Sequence, residues 1–391
     1  MLSDKTLRHG EELCAVTLGV DKLYRKDIGE ESTKALQGLA VLNMGKVPAK
    51  EFSDYSQARQ SLSELAKNAL SLPEEDRRLY YTQASISLDS FCASRMGLLP
   101  SLSSQIGMFL HVNPAPVSDA EIDRFKQEIR SMLTSMGYSG NLAEQCDKWE
   151  EKNRVPADEV KGVMEELMAE ARERTGEILE LPENDYYSVV TEKGCPFNAA
   201  SYYEKRHVVI NIDPILTRQG LKHLVCHECY PGHFMQFSLR QRLYEKGLAA
   251  ADGLLSVCNH SSSATFEGIG DVSLEFINWI QDDDDRVMQL LSEFKAALGT
   301  AASYRLHELK MPASEVENWL RSHALVGGEG WVANRMGFIS DLSRSALIWS
   351  YWRGDQGVFD VWRRVDKNDR PRFFNYIYDR LHTVQSMQLF R

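Results

Sequence analysis

The chain has 391 residues, of which 43% are hydrophobic and 26% are charged. This length and balance are typical of a globular protein with a sizeable core, and they argue against a disordered chain. The net charge of −11 argues against nucleic acid and anionic membrane surfaces as partners, because both attract basic proteins.

The N-terminus shows no signal peptide, and no stretch is long and apolar enough for a membrane span. We therefore expect a cytoplasmic protein, either a monomer or a homodimer. The seven cysteines are odd in number and scattered along the chain, which is typical of reduced thiols rather than of a disulfide framework.

Helical periodicity dominates the first 180 residues. Apolar residues at spacings of three and four predict helices over residues 51–72, 73–96 and 156–181. A capping-box pattern at residues 118–121 predicts a further helix that ends near Met136.

The predicted secondary structure changes after residue 182. Residues 185–190 and 207–212 are rich in β-branched and aromatic side chains, which predicts two short strands paired across the region 194–201. Asp213 and Pro214 are typical of a helix start, and we expect that helix to continue to residue 228.

From residue 262 onward the pattern is helical again, with breaks near residues 327–330 and 369–371. We therefore predict a mainly α fold with a small β element next to the helix that ends at residue 228. Residues 1–182 are expected to form an N-terminal helical region and one wall of a cleft. Residues 183–391 are expected to form the rest, or the two regions form a single domain.

A His-Glu pair followed by a Pro-Gly dipeptide predicts a metal site. A hydrolytic zinc site has about three protein ligands and one position for water, whose proton a nearby carboxylate takes. His227 and Glu228 suit the roles of ligand and general base. His233 lies six residues after His227, about 120° away from it on a straight helix. Pro231 and Gly232 predict a bend that returns His233 to the metal.

The third ligand is expected downstream, at Glu267. Glu267 and Asp271 are four residues apart and share one face of a helix, so Asp271 can accept the free ring N–H of a ligand histidine. Gly268 is expected to permit close approach of the backbone. His223 precedes His227 by one helical turn, and it is an alternative ligand or a residue supporting the ligands.

Residues that flank the motif have weaker assignments. Cys226 and Cys229 form a C-x-x-C pair, which lacks the context of a redox site and is expected to pack beside the ligand helix. Tyr203 and Asn211 precede that helix and are candidate substrate-binding residues. A strand at residues 208–212 is a candidate for binding an extended substrate backbone.

Residues 226–237, with the sequence CHECYPGHFMQF, resemble the H-E-x-Y-P-G-H-x-x-Q signature of domain-of-unknown-function family 885. Members of that family look like zincin-type metallopeptidases with a largely helical fold. The resemblance implies that His227 and His233 are metal ligands, that Glu228 is the general base and that Gln236 lies behind the site. It extends from Cys195 to the C-terminus, roughly half of the chain.

Later segments resemble the same family more loosely. Glu267 and Gly268 match its Glu-Gly-Trp element, although Ile269 stands where Trp is usual, and Glu275 lies one position later than the family's next carboxylate. The family's Tyr-x-x-Gly segment and its closing Phe-His helix also have counterparts. These matches imply three residues near the substrate. They are Tyr351 and His382, as oxyanion donors, and Arg353, as the partner of a substrate carboxylate.

The sequence thus predicts a zinc-dependent hydrolase that cleaves a peptide or small amide bond. One alternative is a tailoring enzyme that uses zinc, iron or manganese non-hydrolytically on a specialised small molecule, since two histidines and a carboxylate also bind non-haem iron. A second alternative is a non-catalytic protein that keeps the motif as a structural site.

Overall fold

We describe the fold from a computed structural model, in residues 2–29, 39–44, 47–99, 101–183, 186–195, 197–341 and 344–391. The prediction of a mainly α fold with a small β element is confirmed. The helices are α1 (Asp4–Ile28), α2 (Tyr55–Ala69), α3 (Glu75–Arg95), α4 (Leu102–Phe109), α5 (Asp119–Ser135), α6 (Leu142–Asn153), α7 (Val160–Gly176), α8 (Arg218–Glu228), α9 (His233–Glu245), α10 (Ser263–Phe276), α11 (Asp283–His307), α12 (Ala313–His323), α13 (Gly328–Ser340), α14 (Ile348–Trp362), α15 (Arg370–Tyr378) and α16 (Val384–Met387). The strands are β1 (Ala40–Asn43), β2 (Ser188–Glu192), β3 (Ala199–Tyr202), β4 (His207–Asn211) and β5 (Leu255–Val257).

For the four helices predicted with both bounds between residues 51 and 181, the observed ends lie within five residues of the predicted ones. The capping box before α5 is present, because the Ser118 hydroxyl accepts from the Glu121 N–H while the Glu121 carboxylate accepts from the Ser118 N–H. Along the ranges described above, no helix combines the length and apolar character that a membrane crossing requires.

The predicted start of the ligand helix was wrong. α8 begins at Arg218, and the Thr217 hydroxyl caps it by accepting from the Gly220 N–H at 3.1 Å. The Asp213 carboxylate accepts instead from the Gly194 N–H, 19 residues earlier, at 2.6 Å. Asp213 therefore makes a long-range hydrogen bond and does not cap the helix that follows it.

The small sheet beside the ligand helix has three strands in the order β2–β4–β3. β2 and β4 are the two predicted strands, although Asp185 of the first prediction lies outside the described residues. They pair in parallel, and β3, which formed part of the predicted turn, pairs antiparallel with β4. β4 is therefore the central strand, and four of its five residues are buried.

One compact unit comprises Met1–Pro114, Met235–Ile269 and Trp349–Arg391. Hydrogen bonds join the end of the chain to its N-terminal 114 residues within this unit. Arg77 Nη1 donates to the Leu381 carbonyl at 2.8 Å, and Gln385 Nε2 donates to the His111 carbonyl at 2.7 Å.

The other compact unit comprises Ala115–Phe234 and Gly270–Ile348, and it contains the three-stranded sheet and α8. The predicted boundary between residues 182 and 183 falls inside this unit. Each unit is assembled from segments far apart in the chain, so changes of local composition do not mark its limits.

Candidate metal centre

The ligand helix α8 places His227 and Glu228 in its last turn, and both side chains are buried. Its buried face includes Leu221 and Val225. Lys222 fixes the helix further, because its Nζ lies 2.6 Å from Asp285 Oδ2 of α11 and both side chains are buried. These contacts fix α8 in position up to its last turn, which carries His227 and Glu228.

The predicted bend after Glu228 is confirmed. α8 ends at Glu228 and α9 begins at His233, with a cis Tyr230–Pro231 peptide between them. The ring centroids of His227 and His233 are 4.6 Å apart. A Cβ on Gly232 would lie 1.8 Å from the His227 carbonyl oxygen, so the bend tolerates glycine alone at this position.

Asp271 holds the ring of His227 as the sequence predicted. Its Oδ1 lies 2.7 Å from His227 Nδ1 and 3.3 Å from His223 Nε2. Burial alone raises the pKa of the Asp271 carboxyl, but the adjacent His227 and His223 lower this pKa well below its usual value. A carboxylate that accepts from Nδ1–H leaves the Nε2 lone pair of His227 as the metal-binding atom.

Gly268 permits the predicted close approach of the backbone, and Gly270 makes room for the ring of the ligand His227. A Cβ on Gly270 would lie 2.8 Å from His227 Nδ1, whereas a Cβ on Gly268 would lie 2.4 Å from the Gly354 backbone. The two glycines therefore serve different contacts of α10. Spacing along the sequence cannot distinguish the roles of the two glycines, because tertiary packing determines which group each glycine approaches.

Two overlapping groups of donor atoms meet the geometric requirement for a metal ion. One is His227, His233 and Glu267, and the other is His223, His227 and Asp271, with donor atoms in each group within 4.8 Å of one another. Glu267 precedes Asp271 by one turn of α10. The first group has the two imidazoles and one carboxylate of a catalytic zinc site and fits that metal. In the second group Asp271 Oδ1 already hydrogen-bonds to His227 Nδ1 and lies 3.3 Å from His223 Nε2, which is the position of a supporting residue.

An aromatic cluster adjoins the ligand turn, and the motif search missed it. The ring of Phe234, the residue after His233, lies 4.5 Å from that of Tyr187, 5.3 Å from that of Tyr230 and 5.7 Å from that of Tyr203. The Tyr187 hydroxyl hydrogen-bonds to the Ser201 hydroxyl of β3. Burial of Tyr187 raises its pKa far above the usual value, and the charges of Cys229 and Glu228 raise it further.

Two predicted substrate-binding residues are buried in contacts of their own. Asn211 Nδ2 donates to the Cys195 carbonyl at 3.2 Å, and its Oδ1 accepts from the Asp213 N–H at 3.0 Å. Tyr203 is 5% exposed, and its ring carries the guanidinium of Arg206 at 4.9 Å. Their contact with substrate stays a prediction.

The predicted substrate-binding strand at residues 208–212 is wrong, because β4 has partners on both sides. The outer edge of β3 is the alternative. Asn211 N–H donates to the Asn198 carbonyl at 2.8 Å, which makes this a hydrogen-bonded pair of the antiparallel ladder. Because such pairs alternate, Ala200 also faces β4, whereas Ala199 and Ser201 direct their backbone groups away from it.

His382 is engaged in structural hydrogen bonds. Its Nε2 lies 2.8 Å from the Tyr376 carbonyl, and its Nδ1 lies 3.3 Å from Arg77 Nη2. Since a guanidinium can only donate, Nδ1 accepts and the ring proton on Nε2 goes to the carbonyl. Burial lowers the pKa of this imidazole well below its usual value, and the nearby Arg77 lowers it further. These contacts do not support the predicted role of oxyanion donor.

Tyr351 and Arg353 lie on α14, where Arg353 Nη1 donates to Gln356 Oε1 at 2.9 Å. Their roles at the substrate stay predictions. The Cys226 and Cys229 thiols are fully buried, and this burial raises the pKa of both, which disfavours the reactive thiolate that a redox pair requires.

No protein-family profile and no curated protein matches the chain. Solved structures that are similar to it include the following two. A candidate lipoprotein from Colwellia psychrerythraea has 13% sequence identity and a TM-score of 0.57, over 85% of this chain and 68% of that one. A candidate lipoprotein of unknown function from Shewanella oneidensis has 13% identity and a TM-score of 0.51, over 85% and 70% of the respective chains. At this identity the likeness concerns the fold alone, and the resemblance to family 885 stays a prediction.

Proposed function

We propose that the protein is a zinc-dependent hydrolase that cleaves a peptide or small amide bond, with Glu228 as the general base. The observation that carries this proposal is the convergence of His227, His233 and Glu267, whose donor atoms lie within 4.8 Å of one another. Asp271 supports it by fixing the orientation of the His227 ring. Two histidines and one carboxylate with a supporting acid are typical of hydrolytic zinc sites.

Zinc bound to these residues supplies a Lewis acid that polarises the scissile carbonyl and lowers the pKa of its bound water. In this proposal Glu228, next to His227 and 7% exposed, would accept a proton from the attacking water and return it to the leaving amine. Because Asp271 accepts the Nδ1 proton, the His227 ring stays in one tautomer and one orientation.

The sheet supplies a second supporting feature. Ala199 and Ser201 direct backbone groups toward the outer edge of β3, and such an edge can pair with an extended peptide or acyl-amide backbone. The Tyr187 hydroxyl bonds to Ser201, and Tyr187 lies in the field of Glu228.

The test combines metal analysis with a substitution. Protein purified without added metal is expected to contain one zinc per chain and to hydrolyse members of a peptide and N-acyl amide library. Glu228→Gln is expected to keep the zinc and lose turnover by several orders of magnitude, since the shape is conserved and the base is removed. Glu245→Gln, an exposed position in the last turn of α9, is the matched control and should retain full activity.

The alternatives give different results in the same experiment. Iron or manganese with oxygen-dependent turnover would identify non-hydrolytic chemistry. Turnover that survives in Glu228→Gln would remove Glu228 as the base. Bound zinc with no turnover of any library member by the wild-type protein would favour a structural site.

A further inference from the structure

Arg206 ends the hairpin turn between β3 and β4, in a left-handed conformation with φ 56°. Its guanidinium carbon lies 4.9 Å from the ring centroid of Tyr203 and 5.5 Å from that of Phe234. Phe234 directly follows His233, so this cation rests on the aromatic cluster beside the candidate metal centre. The sequence contained no signal for this placement, because it depends on the hairpin folding back onto the start of α9.

The guanidinium of Arg206 has unused donor capacity. In the ranges that the structure describes, no carboxylate pairs with this side chain, and its buried Nη1 makes no hydrogen bond. Leaving a charged donor without a partner in a partly buried position is costly unless a ligand or solvent satisfies it. Stacking occupies the faces of a guanidinium, whereas its N–H donors lie in its plane and remain directed at a possible acceptor.

Arg206 and the general base both act electrostatically on Tyr187. The pKa of Tyr187 is raised by burial and by the charge of Glu228, and it is lowered by the charge of Arg206. The Tyr187 side chain is therefore within electrostatic reach of both groups. Tyr187 also hydrogen-bonds to Ser201 of β3. β3 is the strand that precedes Arg206 in the chain.

We infer that Arg206 binds the free carboxylate of the substrate, which makes the substrate class a peptide or N-acyl amide that carries a carboxylate near the scissile bond. This inference rests on the proposed function, because it names the substrate of the same site. A guanidinium and a carboxylate form two parallel hydrogen bonds, which an uncharged carboxamide cannot reproduce with the same strength. Arg206 is a candidate for this role in addition to Arg353, the arginine predicted from the sequence.

Binding tests the inference without turnover. N-acetyl-L-alanyl-L-alanine and its C-terminal amide are titrated by calorimetry into full-length protein carrying Glu228→Gln. The free acid is expected to bind roughly tenfold to a hundredfold more tightly than the amide, as for hydrogen bonds to a charged group. Adding Arg206→Gln should abolish this preference by weakening the acid alone. The preference should persist after the metal is removed with a chelator, which excludes binding of the carboxylate by the metal.

Two further variants test whether the arginine itself is required. Arg206→Lys keeps the charge but loses the paired donors, so it should restore only part of the preference. Lys205→Gln removes the neighbouring cation of the same turn, which lies over the Tyr202 ring, and should leave the preference intact. Melting temperatures of all variants establish that they fold. If Arg206→Gln unfolds the protein, the folded Arg206→Lys protein provides the test. An undiminished preference of that variant for the free acid over the amide overturns the inference.

Each idea fails in a distinguishable way. Equal affinity of the wild-type site for acid and amide, or an equal loss of both in Arg206→Gln, overturns the role of Arg206 even if amides are hydrolysed. A preference for the acid that depends on Arg206, in a protein that hydrolyses no amide, leaves the binding role standing and contradicts the proposed hydrolase.

Discussion

At the scale of single residues, the contacts of Asp271 explain how the ligand geometry is held. One carboxylate oxygen meets His227 Nδ1 at 2.7 Å and His223 Nε2 at 3.3 Å, so two imidazoles one turn apart on α8 share one acceptor on α10. The metal-binding atom of His227 is thereby turned away from Asp271. Gly270 complements this arrangement, since any larger residue would press against the same ring.

Replacing Asp271 with Asn should lower the affinity for zinc about tenfold to a hundredfold. The amide oxygen can still accept from His227 but carries no charge, and therefore it stabilises the metal-bound imidazole less. Competition with a chromophoric chelator measures the affinity. Asp283→Asn, at an exposed position in the first turn of α11, is the matched control. An unchanged affinity in a folded Asp271→Asn protein would contradict the supporting role.

At the scale of secondary structure, α8 is held by one cap and one buried ion pair. Thr217 caps its first turn, and Lys222 joins it to Asp285 of α11. Asp285 Oδ2 also accepts from the Gln281 N–H at 2.9 Å, and Lys222 Nζ lies 4.6 Å from the Trp279 ring centroid. The Lys222–Asp285 ion pair is buried, so removing one of the two side chains leaves the charge of the other without a counter-ion in the interior.

Lys222→Met should destabilise the fold by about 3 to 5 kcal/mol, because it leaves the buried Asp285 carboxylate without its counter-ion. The double variant Lys222→Met/Asp285→Leu should lose clearly less, since it removes both charges and retains apolar volume. Urea denaturation of the full-length protein gives the free energy of unfolding of each. Additive losses in the double variant would show that the two side chains do not act as a pair.

At the scale of the whole molecule, several buried histidines make stability depend on pH. Burial, assisted by the nearby Lys5, lowers the pKa of His9 to about 4, and burial, assisted by His111, lowers that of His260 to about 3. Both residues belong to the unit that contains the two ends of the chain. The unfolded chain protonates such an imidazole near pH 6.5, whereas the folded chain resists protonation.

The contribution of His9 to stability is therefore present above about pH 6.5 and is lost progressively between pH 6.5 and pH 4, whereas that of His260 continues to be lost down to about pH 3. For His9 alone the loss by pH 4 is roughly 3 kcal/mol. We expect the melting temperature to fall steeply over this range, and to fall less steeply in His9→Phe. Identical pH profiles of the two proteins would show that His9 does not contribute.

Much of this protein follows from local sequence signals. Helical periodicity and the capping box at Ser118 predicted the helices, since they depend on residues within one or two turns. The Pro231-Gly232 bend and the four-residue spacing of Glu267 and Asp271 predicted how the candidate metal ligands are brought together. These features depend on chain geometry over short distances, and the sequence determines them directly.

Tertiary structure alone decided the remaining features. Asp213 hydrogen-bonds to Gly194 instead of capping a helix, β4 has partners on both sides, and Arg206 lies on the ring of Phe234. The contacts of Asp213 and Arg206 join residues that are 19 and 28 positions apart, and β4 pairs with β2 across 19 positions. The type of a residue indicates what its side chain can bind, but only the packing of distant segments determines which partner that side chain contacts.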